Sequence, residues 1–141
     1  MNKTMTKVYA DGGARGNPGP AACAFVVVED GKIIHKDSKF LGTATNNVAE
    51  YSAVLLAHEW INKNNKNLSY ENIVFFLDSE LVTRQLRGVY KIKNDSLKKL
   101  ATKIKKLEMT LEKNVSYSSV PRSKNILADK LVNEQLDENT D

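Results

Sequence analysis

Two short apolar runs, Thr6-Lys7-Val8-Tyr9-Ala10 and Ile73-Val74-Phe75-Phe76-Leu77, each stop on an aspartate, Asp11 and Asp78. Runs of this length, rich in β-branched and aromatic residues, read as buried strands. In an open α/β sheet the carboxyl ends of neighbouring strands are where sites assemble. Two further carboxylates, Glu50 and Asp129, sit at the start of segments with helical periodicity. A bare charge at the edge of an apolar segment is costly unless something positive binds there. These four positions therefore point to one site for a cation.

The chain of 141 residues is long enough for one domain with a real core, and residues 1–141 are expected to form it. Residues 137–141 are short and acidic and read as a frayed tail. The net charge of +4 suits a polyanionic partner without requiring one. Cys23 is the single cysteine, so an internal disulfide framework is excluded, and its apolar neighbours make it a small buried residue. No apolar stretch approaches the ~18 residues of a membrane span. The start, Met1-Asn2-Lys3-Thr4, lacks the apolar core of a signal peptide. A cytoplasmic protein with no membrane association and no obligate protein partner is expected.

The first forty residues read as three strands in an antiparallel meander: residues 4–10, 21–28 and 32–41. Asp11-Gly12-Gly13 is expected to turn, Gly16-Asn17-Pro18-Gly19-Pro20 to form a sharp loop, and Glu29-Asp30-Gly31 a hairpin. The period then changes. Asn46 and Asn47 are good caps for a helix to about residue 64, and Ala49, Ala53, Leu56 and Trp60 recur at helical spacing. Glu50 is four before Val54 and seven before Ala57, which puts it on the buried-facing side of the first turn. A strand over 71–77 leads to a short helix over 79–87 that Gly88 ends. Asp95 or Ser96 caps the next helix, whose stripe Leu97, Leu100, Ala101, Ile104, Leu107 and Leu111 is amphipathic. A last strand over 115–120 precedes a helix opened by Asn125 and running to about 136. The order βββαβααβα predicts a five-stranded mixed sheet flanked by helices.

Four stretches resemble the type 1 ribonuclease H family: Asp11-Gly12-Gly13-Ala14-Arg15-Gly16-Asn17-Pro18-Gly19-Pro20, Thr45-Asn46-Asn47-Val48-Ala49-Glu50-Tyr51, Leu77-Asp78-Ser79-Glu80-Leu81-Val82, and Asn125-Ile126-Leu127-Ala128-Asp129. Their order and spacing carry the resemblance over nearly the whole chain, and Val120-Pro121-Arg122 looks like the compact archaeal and bacterial branch. The resemblance implies a ribonuclease H-like fold and hydrolysis of the RNA strand of RNA/DNA hybrids, leaving 5′-phosphate and 3′-hydroxyl ends. It implies two Mg2+ ions, with Mn2+ as a substitute, acting in line on the phosphodiester. Magnesium keeps several waters, so a few carboxylates suffice to hold it. By the same resemblance Asp11 bridges the two ions, Glu50 and Asp78 serve the leaving-group side, and Asp129 completes the nucleophile side. Gly12, Gly13, Asn17, Asn46 and Asn47 match positions that contact the hybrid, whose 2′-hydroxyls both donate and accept hydrogen bonds.

Local roles compete with these. Asp11 could be a turn former, Asp78 a helix cap, Asp129 a complement to a helix dipole, and Asn46 and Asn47 plain caps. Glu50 has no such local role. Lys98, Lys99, Lys103, Lys105 and Lys106 read as a solvated helix face that could also meet phosphates. Two departures from the family pattern stand out. Ser119 occupies the position of a frequent histidine, and Arg122 beside it cannot act as a base. Glu80 stands where many members carry glutamine, so it accepts without donating. The residues leave two alternatives: a non-catalytic nucleic-acid-binding module, and a different nuclease on the same superfold. The module predicts gaps in the carboxylate quartet, and there are none.

Overall fold

The computed structural model describes residues 4–140. Strands β1 (Met5–Ala14), β2 (Gly19–Glu29) and β3 (Lys32–Ala44) form the antiparallel meander. Strands β4 (Asn72–Leu77) and β5 (Asn114–Ser119) then run parallel to β1, giving the sheet order β3-β2-β1-β4-β5. Four α-helices among the described residues complete the fold: α1 (Asn46–Asn64), α2 (Glu80–Leu86), α3 (Asp95–Thr110) and α4 (Ile126–Asn139). The five-stranded mixed sheet and the order of elements agree with the sequence reading.

The main core lies between one face of the sheet and α1 and α3. Val8, Phe25 and Phe75 meet Tyr51, Ala57, Ile61 and Ile104 there. The second face is covered at one end by α4, through Ala22, Ala24, Val132 and Leu136. Helices on both faces explain why β2 is apolar almost without interruption and buried along most of its length. Cys23 is buried within it. His58 is also buried. Its Nε2 lies 2.9 Å from the Tyr117 hydroxyl, which donates to Glu108, and burial pushes its pKa down to about 3. No helix among the described residues is long and apolar enough to cross a membrane.

Element ends differ from the expectation, each for a local reason. β1 does not turn at Gly12 and Gly13; they pair with Cys23 and Ala22, and the strand continues to Ala14. Thr45, in extended conformation, caps α1 by accepting from the Val48 amide at 3.2 Å. The Asn46 side chain instead accepts from the Ala14 amide at 2.9 Å. Asn94 takes the capping role on α3, so Asp95 and Ser96 fall inside the helix. α4 continues past Leu136 to Asn139. Buried Leu136 anchors that last turn, and Asp137 pairs with Arg15 at 2.6 Å. Residues 137–139 are thus helical, while Asp141 and Met1–Lys3 lie outside the described residues.

Candidate active site

The parallel strands end together. The β1–β4 pairing stops at Tyr9↔Phe76 and the β4–β5 pairing at Leu77↔Ser119, so Asp11 and Asp78 emerge at one edge of the sheet. Glu50 reaches the same edge from α1, just beyond the first turn rather than within it. Asp129 comes from the first turn of α4. All four line one depression of about 370 Å3, together with Gly12, Gly13, Asn46 and Arg122.

Gly12 makes this convergence possible. A Cβ built there would fall 2.2 Å from both the carbonyl carbon and oxygen of Ala49, and 2.5 Å from the Glu50 amide nitrogen. β1 therefore packs backbone to backbone on α1, one residue away from both Asp11 and Glu50. Only a residue without a side chain permits that approach.

The electrostatics follow from burial and crowding of like charge. The Asp11 carboxyl is pushed up to about 8, first by burial and then by Asp78, Asp129 and Glu50. Glu50 is raised to about 7 by burial and by Asp78, against opposing effects of the Ser79 hydroxyl and Arg122. The ion pairs among the described residues lie elsewhere, at Arg15–Asp137, Arg84–Glu80 and Lys105–Glu108. Fully ionised, the quartet would carry an excess of negative charge that cations of the described residues do not offset by direct contact.

Those oxygens suit a hard divalent ion. Among the described residues no three His, Cys, Asp or Glu side chains are gathered tightly enough to enclose an ion by themselves. The carboxylates are near enough to raise the proton affinity of Asp11 and Glu50 without forming a closed cage. Magnesium needs no such cage, because waters and substrate phosphates complete its octahedron around one or two carboxylates. The donor set therefore fits Mg2+ at an open site. A second cavity, of about 280 Å3, is lined by Tyr9, Val26, Val28, Ile33 and Ile126 among others. Its walls are mainly apolar and hold no carboxylate, unlike the quartet's depression.

These shifts fix a pH dependence. From about pH 4 to 8 the folded chain holds protons on Asp11 and Glu50 that the unfolded chain has released, so stability falls as pH rises. His58 acts in the opposite sense, lowering stability only as pH falls below its ordinary 6.5. Between pH 6.5 and 8 the carboxylates dominate. Metal-free protein is expected to lose about 1–2 kcal/mol across that interval, seen as a falling Tm. Added Mg2+ is expected to flatten the trend by occupying the crowded charges. A metal-free Tm that rises over this interval would contradict the assigned crowding.

The other residues singled out from the sequence divide. Gly12, Gly13, Asn46 and Arg122 line the depression. Asn17 stands beside it, its Oδ1 accepting from the Asn46 amide at 2.9 Å. Asn47 lies outside the lining. Glu80 binds Arg84, at 3.0 Å through Nε and 2.5 Å through Nη2, and shares a neighbouring cavity with Arg87 and Ser119. Asn133, one turn after Asp129 on α4, lines the site unforeseen; its i+4 spacing from Asp129 was the available signal.

The family described as reverse transcriptase-like matches residues 9–135. A ribonuclease HI of Halobacterium salinarum is 38% identical over 131 residues, which is 92% of this chain and 63% of that protein. A bifunctional protein of Mycobacterium tuberculosis is 35% identical over 132 residues, covering 92% of this chain and 35% of its own length. The chain thus spans less than two thirds of these curated relatives. Among solved structures, LC11-RNase H1 in complex with an RNA/DNA hybrid superposes with a TM-score of 0.89 at 41% identity. That match covers 94% of this chain and 97% of the other.

Proposed function

The chain belongs to the type 1 ribonuclease H family, and on that footing we propose that it is a metal-dependent endonuclease cutting the RNA strand of RNA/DNA hybrids. The observation that carries the reading is the convergence of Asp11, Glu50, Asp78 and Asp129, from four separate elements, on one depression. Two Mg2+ ions, replaceable by Mn2+, would supply charge to activate water and to stabilise the leaving oxygen in an in-line displacement. Asp11 would help to hold both ions, Glu50 and Asp78 would hold the ion on the leaving-group side, and Asp129 the ion on the nucleophile side.

The remaining residues shape what enters. Oδ1 of Asn46 is engaged by Ala14, and Oδ1 of Asn17 by Asn46. Their Nδ2 groups are left as donors, suited to the oxygen of a 2′-hydroxyl that DNA lacks. Arg122 lines the depression with a permanent positive charge for the phosphate backbone. With Ser119 in place of an imidazole, position 119 itself offers no group that titrates near neutral pH. The likeness to a relative solved with an RNA/DNA hybrid supports the choice of substrate. A cytoplasmic place of action, and residues 1–141 acting as one domain, belong to the same proposal.

Mapping the cut ends tests the reaction class. The RNA strand of a hybrid is expected to be cut internally in Mg2+, with 5′-phosphate and 3′-hydroxyl at each new end. Cutting of branched DNA in preference to the hybrid would assign the site to another nuclease of the superfold. Hybrid binding without any cutting would assign it to a non-catalytic module.

A further inference from the structure

Asn125 stands where an asparagine usually caps a helix, immediately before Ile126 at the start of α4, yet its side chain makes no capping bond. It is 1% exposed, and its Nδ2 crosses to β1 to donate to the Ala10 carbonyl at 2.9 Å. Ala10 is the residue before Asp11 and lies just beyond Tyr9↔Phe76, the last β1–β4 pair. The amide of Asn125 thus bonds a carbonyl of a residue that β2 still pairs, through Phe25, but that β4 no longer does. The Asn125 backbone is held as well. Its N–H donates to the Arg122 carbonyl at 2.9 Å, and its own carbonyl accepts from the Asp129 amide at 3.1 Å. One buried residue therefore joins the segments carrying Asp11, Arg122 and Asp129.

The arrangement forgoes two ordinary gains. The capping bond to the first turn of α4 is not made, and Oδ1 is buried without a partner among the described residues. A residue that breaks local rules without a local return is expected at a functional site. We propose that Asn125 is a positioning residue that fixes Asp129 relative to Asp11, and so sets the affinity of the site for its nucleophile-side divalent ion. This inference rests on reading the carboxylate depression as a divalent-metal site.

The test is Asn125→Ser. Serine is a good helix cap, so α4 keeps its N-terminus, but its short side chain cannot reach Ala10. Mn2+ binding measured by calorimetry, without nucleic acid, is expected to weaken by about 10-fold or more. In hybrid cleavage the metal concentration for half-maximal rate is expected to rise in step, with kcat at saturating metal largely restored and KM for hybrid unchanged. Asn125→Gln, which keeps the amide donor, is expected to recover much of the affinity. A purely structural role would lower Tm without moving the metal midpoint. In the parent protein, the Asn125 side-chain amide resonance is expected to shift on Mg2+ titration with the midpoint shown by Asp11 and Asp129. This second measurement holds even where the serine variant does not fold. An unchanged metal midpoint in Asn125→Ser, or an Asn125 amide indifferent to Mg2+, overturns the inference. A parent that binds metal without cutting hybrid overturns the hydrolytic reading alone.

Discussion

Asp78→Asn is expected to lower hybrid cleavage by about 10³-fold while leaving the fold intact, because the substitution removes charge and little else. Asparagine keeps the shape and one oxygen of the side chain. It withdraws a full negative charge from a site whose proposed chemistry depends on holding cations. Asp78 also stands first among the charges that raise both Asp11 and Glu50. Its neutralisation lets both carboxyls ionise more easily, so metal-free Asp78→Asn should be as stable as the parent or more so near pH 8. The Tm gain on adding Mg2+ should shrink at the same time. Loss of activity with retained or increased metal-free stability separates a site residue from a structural one. Activity near the parent's would remove Asp78 from the catalytic set.

Gly12→Ala carries the largest expected cost to folding. The added carbon would lie 2.2 Å from the Ala49 carbonyl, well inside contact distance, and both partners are backbone with no rotamer to change. β1 and α1 would have to separate, at an estimated cost of about 3–5 kcal/mol. Protein that still folds would carry Asp11 and Glu50 further apart and lose cleavage with them. Gly13→Ala is the matched control. Its Cβ would meet only Val132 Cγ1, at 4.0 Å, an ordinary contact. Thermal unfolding of the two variants should therefore differ by 10 °C or so, at roughly 2–4 °C per kcal/mol. Similar Tm values would show that Gly12 does not hold the strand against the helix.

The residues that could be read in advance are those whose role shows in the spacing of their neighbours. Asp11 and Asp78 end apolar runs, and Glu50 sits on the apolar side of a helical repeat, so each was visible along the chain. The change of period at Asn46 gave the order of elements for the same reason. What stayed hidden depends on partners far away in sequence. Asp11-Gly12-Gly13 looks like a turn until Cys23 and Ala22 are seen to pair with it. Asn46 looks like a cap until Ala14 engages its side chain and Thr45 takes the capping role. Asn125 looks like a cap too, and only its bond to a carbonyl 115 positions away reveals its different work. Each error comes from a polar side chain with an adequate local partner that tertiary packing replaced with a distant one.

The activity proposed for this depression is the cutting of RNA paired with DNA. Its most direct test is cleavage of an end-labelled RNA/DNA hybrid beside matched all-RNA and all-DNA duplexes, with Mg2+ and then with a chelator. Cutting of the RNA strand of the hybrid, weak or absent on the two other duplexes and abolished by chelation, is the predicted result. Folded protein that leaves the hybrid intact in both Mg2+ and Mn2+, or that cuts equally well with the metal removed, would contradict it.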